Sequence, residues 1–234
     1  HRIARRQRQM CIRDSTYGGQ FSIRWIENKM NEYLNRVLKT KGEDYVIASD
    51  TDSIYLNMGP LVETVYKGRE KTDESVVGFL NKVSEMELEP YIQSSYEELA
   101  EYVSAYDQKM IMKRENIASS GIWTAKKRYM LNVWDSEGVR YNKPKLKMMG
   151  IEAVKSSTPA PCRAAIKDAI NIMMNGTEKD LLSFIDSFKD EFNSLPPEDI
   201  AFPRSVNGLR KFKASGTVYT KGTPLHVRGT LLYN

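Results

Sequence analysis

The sequence predicts an α+β fold: an antiparallel sheet carrying an acidic hairpin, with packing helices, followed by a mainly helical part. Three observations predict it. Apolar residues recur at three- and four-residue spacings from Gln20 to Lys39 and again over 73–104. Apolar runs of strand length flank an acidic tip at 45–56, and short strands read from 121 to 151. Helical spacing then returns after Gly150.

Residues 1–15 fit nothing that follows. They resemble translated adapter or linker sequence and are set aside from the fold. From Gln20 to Lys39, Phe21, Ile23, Trp25, Ile26, Met30, Tyr33, Leu34, Val37 and Leu38 recur mostly at three- and four-residue spacings and form an apolar face. Arg24, Glu27, Asn28, Asn31 and Asn35 form the polar one. Gly42 lies just past its end, where a helix terminator belongs.

Tyr45-Val46-Ile47-Ala48-Ser49-Asp50-Thr51-Asp52-Ser53-Ile54-Tyr55-Leu56 reads as a β-hairpin. On strand alternation Asp50 and Asp52 project together, with Thr51 pointing away. Two adjacent carboxylates repel, and a divalent cation removes that penalty. The competing reading is a solvated turn, because Asp and Ser are ordinary turn residues.

Over 73–104, Val76, Val77, Leu80, Val83 and Met86 share a face; Pro90 kinks the helix or starts a second one. Ile92, Tyr96, Leu99 and Val103 continue the stripe. At Lys109 the period becomes strand-like, Met110, Met112 and Arg114 alternating with Ile111, Lys113 and Glu115. Glu115 is expected at the end of a strand beside the hairpin.

The stretch from Gly121 to Trp134 reads as strand, with a turn at Asp135-Ser136-Glu137-Gly138. Lys143, Lys145 and Lys147 alternate with apolar residues and give the meander a basic side. Within it, Lys126-Lys127-Arg128-Tyr129 places Lys127 and Tyr129 on one strand face. These donors suit minor-groove acceptors whatever the base sequence. The alternative is a solvated basic strand with Tyr129 in the core.

After Gly150, Thr158 is the expected N-cap, with Pro159 at the first helical position. Ala165, Ile166, Ala169, Ile170 and Met173 face inward, and Asn175-Gly176 ends the helix. Thr177 to Asp180 has capping-box spacing, and the helix it opens stops before Pro196-Pro197. Leu225 to Gly229 reads as a short strand. Lys155, Ser156, Ser157 and the following helix N-terminus are phosphate-binding candidates, as are His226 and Arg228.

Charge is uneven. Residues 1–15 carry a net +4, residues 16–108 a net −8 and residues 109–234 a net +9. An acidic half with a possible metal site and a basic half suit a polyanion held by one and presented to the other. No run of 18 apolar residues reads as a membrane span, and no apolar segment follows the basic N-terminus as in a secretory signal. Cys11 and Cys162 form no metal-ligand pattern and suit a reduced intracellular protein.

In order, the chain holds the Asp-Thr-Asp-Ser hairpin, a Glu-bearing strand, Lys-Lys-Arg-Tyr, Gly150-Ile151-Glu152 and helical elements ending in His226-Val227-Arg228-Gly229-Thr230-Leu231-Leu232-Tyr233-Asn234. Together these resemble family B DNA polymerases, especially those of T-even-like tailed phages. The resemblance implies a partial palm over 16–151 and a thumb over 152–234. It implies nucleotidyl transfer from dNTPs to a primer 3′-hydroxyl by two Mg²⁺ ions, with Mn²⁺ able to substitute.

In that family pattern Asp52 binds both ions, Asp50 is a supporting ligand and Glu115 tunes the site. Lys127 and Tyr129 sense the primer-terminal pair from the minor groove, Lys126 and Arg128 beside them bind DNA, and Lys155, Ser156, Ser157, His226 and Arg228 hold primer phosphates. The implied partners are primer-template DNA, dNTP and a sliding clamp bound through a C-terminal tail beyond this sequence, in the cytoplasm of an infected bacterium. The chain departs from the pattern at Ala48-Ser49, where Tyr-Gly is usual. It also lacks the family's first catalytic aspartate motif, the fingers lysine motif and the exonuclease region. An inactive fragment of a polymerase is therefore expected, against the alternative of a non-catalytic nucleic-acid-binding module.

Overall fold

The computed structural model describes residues 2–212 and 219–233, with side chains from Ile12 onward. The chain forms two compact units, residues 1–147 and 148–234; sequence reading placed that boundary after 151. It mixes helices with a two-stranded and a three-stranded antiparallel sheet, in keeping with an α+β class.

The first unit opens with α1 (Arg2–Leu38). Sequence spacing predicts this helix only from Gln20. The structure carries it back to Arg2, with every side chain from Ile12 to Phe21 exposed. Packing therefore imposes no apolar period on residues 12–20. The second half is anchored by Ile26, Met30 and Leu34, one helical turn apart and all but fully buried. Ile26 and Met30 share a core with Leu88, Ile92, Tyr96 and Leu99. The polar face has a structural task. Asn31 Oδ1 accepts from the Tyr45 and Val46 amides at 2.8 and 3.2 Å, and Asn35 Nδ2 donates to the Glu43 carbonyl at 2.7 Å. These amides clamp the start of the hairpin to the helix.

Strands β1 (Val46–Asp50) and β2 (Ser53–Leu56) pair antiparallel, with Asp50 opposite Ser53. After α2 (Gly59–Val65), Thr72 and Ser75 form a capping box that starts α3 (Asp73–Val83). A π-helical turn, Ser84–Leu88, joins α3 to α4 (Glu89–Tyr102). Pro90 lacks an N–H, so the ladder widens just before it instead of ending. The wider turn shifts the helical phase. Met86, expected on the apolar face, is 71% exposed, and Val103 also faces out.

Residues 109–115 keep the predicted alternation, with Met110, Met112 and Arg114 turned inward, but pair with no strand. Glu115 thus precedes β3 (Asn116–Ala125) instead of closing a strand beside the hairpin. Next come β4 (Arg128–Ser136) and β5 (Val139–Met149), in sheet order β3-β4-β5. Two two-residue turns connect them, Lys126-Lys127 and Glu137-Gly138. Lys127, Glu137 and Gly138 have φ of 59°, 51° and 88°. The chain therefore reverses at the two lysines, and Asp135 belongs to β4, not to the following turn.

In the second unit a 3-10 turn (Glu152–Val154) leads to α5 (Ala160–Asn175). Pro159, not Thr158, occupies the N-cap position. Thr158 is buried and its own amide closes a turn onto the Lys155 carbonyl at 3.1 Å. Ala165 and Ile170 are buried, whereas Met173 is exposed. The Thr177–Asp180 capping box starts α6 (Glu178–Ser194), followed by α7 (Pro197–Ile200), a 3-10 turn (Leu209–Phe212) and α8 (Leu225–Tyr233). α8 replaces the predicted strand. The Pro224 carbonyl accepts from the Val227 and Arg228 amides, which nucleates a helical turn through which Gly229 passes. Asn234 lies outside the described residues. Among the described residues no helix is long and apolar enough to cross a membrane.

Candidate functional site

The acidic tip sits in the first unit. Thr51 and Asp52 form the reversal itself; Thr51 has φ of 59°, and the Asp52 amide donates to the Asp50 carbonyl at 2.7 Å. Strand alternation therefore does not run through the tip, and the shared-face geometry expected for Asp50 and Asp52 does not apply. A β-branched residue in the left-handed region costs about 1–2 kcal/mol. The tip holds it with the Thr51 hydroxyl, which donates to Asp50 Oδ1 at 3.0 Å, and the Ser53 hydroxyl, which donates to the Asp50 carbonyl at 3.2 Å.

The two faces of β2 go different ways, as the two-residue period requires. Ile54 and Leu56 pack on the α1–α4 core, with Val46 from β1. Tyr55 turns toward the three-stranded sheet and joins the cluster of Tyr129, Leu131, Val133 and Trp123. The Tyr55 and Tyr129 ring centroids lie 5.4 Å apart. Burial, and then the neighbouring Tyr129 hydroxyl, push the Tyr55 phenol well above its ordinary value; Ser53 opposes this, and the Glu115 charge adds to it.

This docking sets the Lys126-Lys127 turn beside the acidic tip. Lys127 Nζ stands 3.7 Å from Asp50 Oδ1, with side chains 64% and 28% exposed. Lys126 is exposed, Arg128 half-buried and Tyr129 only 6% exposed. Lys127 and Tyr129 do not share a face, because one is in the turn and the other in the core.

Glu115 is held on one side by Lys147. Lys147 Nζ donates to its Oε1 at 2.6 Å, and this bond holds the carboxyl below its ordinary value; burial opposes the shift and Asn116 assists it. Its neighbour Arg114 belongs to a buried network that sequence reading missed. Arg114 Nη1 pairs with Asp135 Oδ1, and Nη2 donates to Asn81 Oδ1 at 2.6 Å. The Gly138 amide adds a bond to Asp135 at 3.0 Å, Arg140 lies 3.6 Å away, and the Arg114 amide donates to Glu89 at 3.1 Å. An acid after an aromatic strand run was the available signal; it read as a turn because Gly138 follows so soon.

In the second unit, Lys155 pairs with Glu152 at 3.0 Å, and Ser156, Ser157 and His226 are exposed. Arg228 Nε donates to the Thr223 carbonyl at 3.0 Å, and its guanidinium lies 5.5 Å over the Tyr219 ring.

The tip's donor chemistry fits a hard divalent cation, since Mg²⁺ commonly takes one or two carboxylates and completes its shell with water and phosphate oxygens. The Lys127 ammonium beside Asp50 is an internal instance of a cation drawn to that carboxylate. The tip does not make a closed protein site. Among the described residues, no three His, Cys, Asp or Glu side chains gather to hold a metal ion.

No family model matches the sequence. The chain is 41% identical over 224 residues to the DNA-directed DNA polymerase of Escherichia phage RB69, a match covering 92% of this chain and 25% of that protein. It is 36% identical over 226 residues to the DNA-directed DNA polymerase of Enterobacteria phage T4, covering 93% of this chain and 25% of that protein. The chain is a homologue of these phage enzymes, and it spans about a quarter of the length of the curated relatives it matches.

Proposed function

We propose that the chain is the partial palm (16–151) and thumb (152–234) of a family B DNA polymerase that extends a DNA primer with dNTPs. The observation that carries this reading is the apposition of two stretches far apart in sequence. The acidic tip and the Lys-Lys-Arg-Tyr turn stand together, with Lys127 at Asp50 and Tyr55 on Tyr129. Homology to two phage DNA-directed DNA polymerases along nearly the whole chain supports it.

In this reading Asp52 and Asp50 hold Mg²⁺ or Mn²⁺ at the tip. The ions, when bound, lower the pKa of the primer hydroxyl and stabilise the leaving pyrophosphate. The chain's residues bind and orient. Lys126, Lys127 and Arg128 present positive charge at the primer terminus, Tyr129 anchors that strand from the core, and Glu115 sets the local field. Lys155, Ser156, Ser157, His226 and Arg228 hold primer phosphates on the second unit. The two tip carboxylates supply part of a metal site; the remaining ligands and the triphosphate grip belong to the parts of the relatives that this chain does not span.

The chain alone is therefore expected to bind primer-template with strong salt dependence and to give no primer extension with Mg²⁺ or Mn²⁺. Extension that disappears in Asp52→Ala would refute the shared site. Binding that is absent, or indifferent to salt, would refute the DNA reading. Mn²⁺ binding lost on Asp50→Asn with Asp52→Asn separates a polymerase site from a nucleic-acid-binding module without a metal.

A further inference from the structure

We propose that Tyr55 is a positioning residue that sets where the Lys126-Lys127 turn stands relative to the acidic tip. The inference deepens the function proposed above and rests on the reading that this turn contacts DNA.

Two hairpin ends meet at the site, and one side chain from the first is gripped by two from the second. Tyr55 lies opposite Ala48 in the acidic hairpin, close to its tip. Trp123 and Tyr129 are cross-strand partners flanking the lysine turn. The Tyr55 ring centroid is 5.2 Å from Trp123 and 5.4 Å from Tyr129, edge-on to the first and tilted to the second. Both separations fall in the favourable range for aromatic pairs.

The trio is also held from beneath. A Cβ built on Gly121 would stand 2.7 Å from both the Trp123 ring and the Leu131 side chain. The indole therefore lies against the bare backbone of Gly121, and only glycine leaves it room. A rigid ring on a bare strand and a partner tyrosine directly opposite it leave the turn little freedom. Lys127 extends from that turn to within 3.7 Å of Asp50. The ion pair is long and partly exposed, too weak to set this geometry by itself; the aromatic contacts set it.

The test uses the full chain and a fluorescein-labelled primer-template duplex, with anisotropy titrations over a series of KCl concentrations. The proteins are wild type, Tyr55→Leu, Lys127→Ala, the double variant and Trp123→Leu. Lys127→Ala is expected to flatten the salt slope by about one phosphate contact. Tyr55→Leu removes no charge, so a merely structural role leaves that slope alone. As a positioning residue it weakens binding roughly two- to ten-fold, the worth of an aromatic pair, and takes part of the same slope with it. The double variant binds no more weakly than Lys127→Ala, because Tyr55 acts through Lys127. Trp123→Leu removes the other edge of the ring contact and reproduces the effect, which keeps the test in force if Tyr55→Leu fails to fold. A wild-type slope and affinity in both aromatic variants, or effects of Tyr55→Leu and Lys127→Ala that add in full, overturns the proposal. A wild-type slope in Lys127→Ala overturns the DNA reading of the turn, and the positioning role falls with it.

Discussion

Replacing Asp135 by alanine is the sharpest test of how the first unit is held together. Its side chain is 2% exposed and that of its partner Arg114 11% exposed. Removing one partner of such a pair leaves an uncompensated buried charge, at a cost of about 3–5 kcal/mol. Two details place the effect at the lower end. Arg114 keeps its bond to Asn81, and Arg140 loses only a longer contact at 3.6 Å. A loss near 3 kcal/mol is therefore expected, and a smaller one, about 1–3 kcal/mol, for Asp135→Asn, which keeps an acceptor for the Gly138 amide. With a urea slope of roughly 2 kcal/mol per M, the alanine change lowers the midpoint by about 1.5 M. Tryptophan fluorescence is the right probe, because Trp25, Trp123 and Trp134 all lie in the first unit and report its unfolding alone. A midpoint shift equivalent to less than about 0.5 kcal/mol at an unchanged slope, the range of an ordinary surface substitution, would refute the view that this network joins α3, the 109–115 segment and the sheet.

Gly121→Ala is expected to destabilise the first unit by about 1–3 kcal/mol through overpacking and to red-shift tryptophan emission as the Trp123 ring is displaced. Unchanged emission and stability would show that the ring moves aside freely. The Glu115–Lys147 bond predicts a pH dependence. A carboxyl held below its ordinary value adds stability above the ordinary carboxylate range, and that contribution is lost as pH falls through the folded-state value. The stability difference between wild type and Glu115→Gln, followed by urea midpoints, should be present at neutral pH and shrink in acid. A difference that is constant, or grows in acid, contradicts the assignment.

Much of this was legible because the signals are local. The hairpin at 45–56, the capping box at Thr177–Asp180, the stop at Asn175-Gly176 and the inward alternation of Met110, Met112 and Arg114 depend on neighbouring residues. What escaped depends on partners distant in sequence. Lys127 and Thr51 adopt positive φ without being glycine, so nothing in their identity marks a reversal. Tertiary packing of Trp123 and Tyr129 puts the turn there. Asp135 reads as a turn residue until Arg114 is seen beside it. Residues 109–115 have the period of a strand without a strand to pair with. Residues 12–20 of α1 are exposed, so packing imposes no apolar period on them. For the candidate site, the residue types are read from the sequence, but the direction in which each side chain leaves the backbone is not. Strand alternation was extended through two tips where the backbone in fact turns back.

The Lys127–Asp50 contact also carries information about how the two hairpins are joined. Its two residues are far apart along the chain, whereas the acidic tip is built from neighbours. Closing so long a loop costs conformational entropy, and a long, partly exposed pair is too weak to offset it. Burial of Tyr55 against Trp123 and Tyr129 supplies what the pair lacks. The distance from Lys127 to Asp50 is thus a readout of whether the two hairpins have docked: a gauge on the joint, and not the bolt that fastens it.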